Sequence, residues 1–247
     1  MDLMQVQALS LEQRLVSVGL ELRPGELLGI IGPNGAGKSS LLETLAGIHP
    51  FSGVIRFEDE PVDRLDPLER ARKIAFLPQR SNTAWTLKVR DVIALGRLPW
   101  GDESQAIIVR AARATGVEEW LDEPVDRLSG GEQARVWMAR LLAGEPRVIL
   151  ADEPLASLDL YYQQQILGLL RDYTSRERGV MLSLHDLSLA AGWCDRVVLL
   201  EAGRVVDVGT PQEVLTAQNL QQVFRVQADI DFSSAIPSLR MQGRIPE

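Results

Sequence analysis

Residues Gly32, Pro33, Asn34, Gly35, Ala36, Gly37, Lys38 and Ser39 set glycines at intervals that end in a lysine and a hydroxyl. Glycines so placed let backbone N–H groups close around phosphate oxygens, and a helix opening at Lys38 would add the positive end of its dipole. In such a loop Lys38 is expected to reach the β- and γ-phosphates of a nucleotide, and Ser39 to ligate Mg²⁺. The bland alternative is a glycine-rich turn. Its setting argues otherwise: a short apolar run at 27–31 leads into the loop, and a helical pattern at 38–46, stopped by Gly47, leads out of it.

Two further clusters could do chemistry. Residues 147–154 run from an apolar strand pattern into Asp152 and Glu153. A carboxylate at the end of such a strand suits magnesium, and a second can take a proton from attacking water. Two acids at a strand end are otherwise an ordinary solvated turn, so it is the phosphate loop upstream that favours Asp152 and Glu153 as functional. Ser129 and Glu132 are spaced as a capping box for an amphipathic helix that runs to about residue 143. Capping does not require the intervening Gly130 and Gly131, which would leave backbone N–H groups open to an anion.

These residues need a scaffold. Alternating polarity at 4–9 and 16–22, with a Pro24-Gly25 turn, predicts strands at the start of the chain. Buried-strand patterns recur at 74–77, 148–150, 180–184 and 197–200, mostly separated by helical stretches, which is an α/β plan with a largely parallel sheet. From Arg80 to about Leu128 the pattern is mainly helical, with helices expected at 89–95 and 104–115. This segment reads as a helical lobe inserted into the α/β core. Residues 228–247 have weak periodicity and fit a small strand pair or a loose tail. No internal repeat or low-complexity tract is present.

Composition narrows the classes further. The chain has 247 residues, 45% apolar and 24% charged, with a formal charge of -8 and a pI near 5.0. The sign is wrong for a general binder of nucleic acid or anionic lipid. The single cysteine, Cys194, has no internal partner and no metal-ligand cluster around it, which suits a reducing compartment. The first residues lack a signal-peptide pattern, and no apolar run approaches the ~20 residues that span a bilayer.

The run Leu128-Ser129-Gly130-Gly131-Glu132-Gln133 resembles the signature motif of ATP-binding-cassette (ABC) proteins, and the resemblance extends over about residues 4–224. It implies a P-loop NTPase fold: one ABC nucleotide-binding domain over 1–247. Its α/β core, with a mostly parallel sheet and an N-terminal antiparallel β subdomain, would take 1–79 and 145–227. The helical signature subdomain would take 80–144, and 228–247 would be a C-terminal tail. Ser40 joins Gly32 to Ser39 in the nucleotide-binding set that the resemblance implies. Gln79, in Leu77-Pro78-Gln79, looks like the Q-loop glutamine that senses magnesium and water. Ser157-Leu158-Asp159 looks like the D-loop, and His185 looks like the switch histidine. The resemblance implies catalytic roles for Glu153, His185 and Gln79, and Mg²⁺ ligation by Ser39, Gln79 and Asp152. In this family the signature of one subunit closes on the P-loop of another, so Ser129, Gly130, Gly131 and Glu132 would act in trans, with ATP and Mg²⁺ held between two copies.

One feature departs from the family pattern. These ATPases usually stack adenine on an aromatic residue near the N-terminus, and residues 5–25 contain no Tyr, Trp or Phe. Weak discrimination between ATP and GTP is the expectation, since stacking on an aromatic is worth ~1–3 kcal/mol per base.

Three tasks compete: a transporter motor, a soluble ABC protein of DNA repair or translation, and a P-loop protein that binds without turnover. The distance from Lys38 to Ser129 leaves no room for long coiled-coil arms, there is one P-loop, and the charge is acidic, all of which disfavour nucleic-acid partners. Glu153, Gln79 and His185 together disfavour binding alone. The absence of fused membrane helices and of an added regulatory domain after Gly209-Thr210-Pro211 resembles the separate ATPase subunits of bacterial importers. Such a subunit would be a homodimer on the cytoplasmic face of the inner membrane, bound to a permease and served indirectly by a periplasmic binding protein. The stretches 94–100 and 185–190 look like the ATPases of iron–siderophore, haem and cobalamin importers, and the short N-terminal segment is most similar to the cobalamin group. Cobalamin is therefore the first expectation for cargo. Trp85, Leu87, Leu98 and Trp100 are candidates for a permease-docking groove, with packing inside the helical lobe as the equal alternative.

Overall fold

In this computed structural model the described residues are 2–79, 87–233 and 237–244. The chain opens with the antiparallel pair β1 (Met4–Leu11) and β2 (Leu15–Leu22). These join β4 (Ser52–Phe57) and β5 (Glu60–Pro61) in a sheet of order β2-β1-β4-β5. The sequence pattern showed only the first two of these strands.

Between them in the chain come β3 (Leu27–Ile31) and α1 (Lys38–Leu45). With β6 (Ile74–Leu77), β7 (Val148–Ala151), β8 (Gly179–Ser183), β9 (Arg196–Glu201) and β10 (Arg204–Gly209), β3 builds a second sheet of order β10-β9-β3-β8-β7-β6. All neighbours in it are parallel except the β9–β10 hairpin. Every residue of β3, β7 and β8 is buried, as expected where helices or a second sheet cover both faces. The two faces of β3 serve two cores: Leu28 and Ile30 pack toward the antiparallel sheet and α1, whereas Leu27 and Ile31 pack toward the helical side.

That helical side includes α3 (Val89–Ala94), the 3₁₀ segment Leu95–Trp100, α4 (Gln105–Ala114) and α5 (Gly130–Ala143). Val89, Val92, Ile93, Ile108, Val136 and Met138 bury one continuous core with the sheet residues Ile149, Val180 and Leu182, so the lobe is packed onto the core rather than tethered to it. The remaining helices are α2 (Pro67–Lys73), α6 (Leu160–Tyr173), α7 (Leu187–Trp193), α8 (Pro211–Val214) and α9 (Ala217–Phe224). The tail is a strand pair, β11 (Val226–Asp231) with β12 (Ser238–Arg244).

Sheet register positions the chemistry. Leu77 pairs with Ala151, Ala151 with Leu182, and Ile30 with Ser183, so the carboxyl ends of β6, β7, β8 and β3 lie along one edge. Gln79, Asp152, Glu153 and His185 follow these ends within three residues. Ligands of open α/β sheets bind outside that edge.

Candidate nucleotide site

The loop after β3 turns into α1 through Gly37, whose φ of 104° and whose place against the Arg14 carbonyl, 3.1 Å from where a Cβ would stand, admit only glycine. Among the described residues no side chain caps α1, and no acid sits in its first turn, so its N–H groups stay available to an anion. Lys38 is almost fully buried, and its Nζ donates to the carbonyls of Gly32 (2.9 Å) and Pro33 (3.2 Å). Burial lowers the pKa of this ammonium, while the carboxylates of Glu153 and Asp152 oppose that effect. A triphosphate would compete with two loop carbonyls for a cation already held in place.

The acids are organised by a residue that the sequence reading passed over. Ser183, at the end of β8, donates from Oγ to Asp152 Oδ1 (2.7 Å) and accepts from the Glu153 N–H (2.8 Å). The tie holds Glu153 in a left-handed turn with φ 48°, a conformation that costs about 1 kcal/mol or more for a non-glycine residue. The turn aims the carboxylate across the edge. Glu153 Oε2 accepts from Gln79 Nε2 at 2.5 Å, and Oε1 lies 2.5 Å from His185 Nε2. Gln79, Glu153 and His185 therefore form one chain of contacts drawn from three strand ends.

A single cavity is lined by Asn34, Gly35, Ala36, Gly37, Lys38, Ser39, Ser40, Gln79, Glu153 and His185. Gln13, Arg14, Ala202 and Gly203 also line it, and sequence reasoning missed all four because they sit in β-hairpin turns with no motif. Gly32 and Pro33 lie beneath as acceptors for Lys38, and Asp152 is buried behind Glu153. Ser129, Gly131, Glu132 and Asp159 line a separate cleft with Arg135 and Tyr162, and Gly130 faces a third with Gln79, Asp152 and Glu153. The structure thus brings the expected P-loop, Q-loop and switch residues together and leaves Ser129, Gly131, Glu132 and Asp159 outside their cavity. The capping box is present: Ser129 Oγ accepts from the Glu132 N–H, and the Glu132 carboxylate accepts from the Ser129 N–H at 2.7 Å. Asp159 caps α6 by accepting from the Tyr162 N–H at 3.0 Å.

For Mg²⁺, the hydroxyl of Ser39, the side-chain oxygen of Gln79 and the carboxylate of Asp152 are the hard oxygen donors this ion takes. Among the described residues no group of three or more His, Cys, Asp or Glu could hold a metal ion.

Of the docking candidates, Trp85 lies outside the described residues. Leu87 packs against the lobe core, Leu98 is 68% exposed, and Trp100 donates to the Gly144 carbonyl beneath the guanidinium groups of Arg72 and Arg97. Among the described residues no helix is long and apolar enough to cross a membrane.

Residues 15–156 match the family model described as ABC transporter. The chain belongs to the ABC transporter family, as an ATP-binding, ATP-hydrolysing member. It is 40% identical over 245 residues to the hemin import ATP-binding protein HmuV of Bordetella avium, covering 92% of this chain and 94% of that one. It is 41% identical over 217 residues to the cobalamin import ATP-binding protein BtuD of Halobacterium salinarum, covering 85% of this chain and 54% of that one. In structure it resembles cbiO1 of Clostridium perfringens, part of the ABC transporter complex cbiONQ, with a TM-score of 0.77 at 28% identity over 90% and 93% of the two chains.

Proposed function

We propose that this ABC ATPase drives an importer, working as a head-to-tail pair of copies on the cytoplasmic face of the inner membrane beneath a separate permease, which a periplasmic binding protein loads. The observation that carries hydrolysis is the Glu153 carboxylate, held between Gln79 and His185 on the edge of the P-loop cavity. Glu153 takes a proton from attacking water, His185 and Lys38 face the γ-phosphate, and Gln79 links that phosphate to the helical lobe. Mg²⁺, when bound by Ser39, Gln79 and Asp152 with the phosphates, offsets their charge. Ser129, Gly130, Gly131 and Glu132 complete the partner copy's site, and Asp159 lies at the same interface. Their position outside the P-loop cavity of their own chain supports this reading.

The cargo belongs to the class of metal-bearing macrocycles, because the relatives named for hemin and for cobalamin are about equally similar to this chain. Within that class the short N-terminal segment favours cobalamin, with hemin next; siderophore-bound iron, outside the class, is the alternative cargo. Uptake of labelled cobalamin and of hemin by cells lacking this gene decides the order; unimpaired uptake of both rejects the cargo class.

Glu153→Gln tests the chemistry. A general base contributes about 10² to 10⁴ in rate, so the variant should bind ATP and lose hydrolysis by that factor. Turnover near the wild-type rate removes Glu153 from the role.

A further inference from the structure

The nucleotide cavity crosses the sheet edge in a definite direction. Gln79, Glu153 and His185 follow β6, β7 and β8, on one side of β3, whereas Ala202 and Gly203 form the β9–β10 turn on the other side. Arg14 lies in the β1–β2 turn, packed against that second end. The Gly203 N–H donates to the Ala36 carbonyl at 2.9 Å, and the Val16 N–H donates to the Gly203 carbonyl at 2.8 Å. A Cβ at Gly203, where φ is 75°, would stand 2.3 Å from the Arg14 carbonyl, and one at Gly37 would stand 3.1 Å from it. The backbone of Arg14 is therefore locked between the phosphate loop and the β9–β10 turn. A nucleotide whose terminal phosphate meets Glu153 and His185 extends its base toward this end.

No Phe, Tyr or Trp is among the described residues that line the cavity. Arg14 is exposed there, and its guanidinium makes no hydrogen bond or ion pair with any described residue, unlike Arg23, Arg97, Arg113 and Arg147, which are paired. A planar cation with no hydrogen-bond or ion-pair partner among the described residues, on a fixed backbone at the base end of a cavity that no described Phe, Tyr or Trp lines, is a stacking surface in its own right: a guanidinium plane lies on a base face as an aromatic ring does.

We propose that Arg14 is the platform for the purine, its guanidinium stacked on the base where the family's usual aromatic is missing. The inference rests on the reading that this cavity holds ATP. Stacking on a face reads no base edge, so Arg14 serves ATP and GTP alike.

The test measures dissociation constants of the full chain for ATP, GTP and inorganic tripolyphosphate, each with Mg²⁺, after melting curves have shown that the variants are folded. Arg14→Ala should weaken ATP and GTP by about two- to fivefold and leave tripolyphosphate unchanged. Arg14→Trp should restore both nucleotides. Two outcomes overturn the proposal: unchanged ATP affinity in Arg14→Ala, or an equal loss for ATP and tripolyphosphate, which would make Arg14 a phosphate contact. Wild-type chain that binds no ATP would instead reject the nucleotide reading of the cavity, so the two failures are distinct.

Discussion

Ser183 supports both acids of the site with one hydroxyl, which donates to Asp152 and accepts from the Glu153 N–H. Ser183→Ala removes that acceptor, leaves the half-buried Glu153 N–H without it, and frees Glu153 to leave its left-handed turn. Because misplacement of a reacting group by about 1 Å can cost 10²-fold, hydrolysis by Ser183→Ala should fall about tenfold or more while ATP still binds; equilibrium binding beside steady-state turnover checks this, and unchanged turnover rejects it. Ser183 was not legible beforehand, since a serine at a strand end has many bland uses. His185, two residues on, is singled out only through the family resemblance, and the structure places it beside the Glu153 carboxylate. Cys194 shows the reverse case: burial pushes its thiol up to about 12, which leaves it an inert packing group against Gly29.

At the scale of elements, the segment Leu95–Trp100 is pinned to the end of α5. Gly96 packs so closely that a Cβ would lie 2.1 Å from the Arg140 carbonyl. Arg97 is buried and donates to both carboxylate oxygens of Asp102, to the Ala143 carbonyl and to Glu145. The Arg97 guanidinium holds the Asp102 carboxyl at about 2, below its ordinary 3.8. A carboxylate whose folded pKa is depressed stabilises the fold above its unfolded pKa, and the contribution is lost as pH falls through the interval toward about 2. Asp102→Asn should therefore lower the melting temperature at pH 6 and differ less from wild type as melts are taken down from pH 5 to pH 3. A gap that stays constant with pH rejects the assignment. The helices at 89–95 and 104–115 were expected to within a residue at each end, whereas the 3₁₀ segment was not, because Gly96 and Pro99 carry no helical periodicity and its shape comes from packing on α5.

For the whole molecule the testable claim is that the site spans two copies. A Lys38→Ala chain keeps its signature, and a Gly131→Arg chain keeps its P-loop, so a mixture forms some dimers with one intact composite site. If the signature acts in trans, mixing should recover hydrolysis that neither chain shows alone; if it acts in cis, no mixture recovers it, and phosphate release from the mixed and single chains decides. The sequence by itself determined the phosphate loop, the acids at a strand end and the capping box, since each is encoded by neighbours within about eight residues whose spacing has a direct chemical meaning, and the α/β plan, from the alternation of strand and helix patterns along the chain. It did not determine that β4 and β5 complete the N-terminal sheet, that β9 and β10 lie across β3 from the acids, or that Arg14 and Gly203 border the cavity. Those placements join residues far apart in the chain, and sheet order, register and close backbone packing decide them only when the tertiary structure forms.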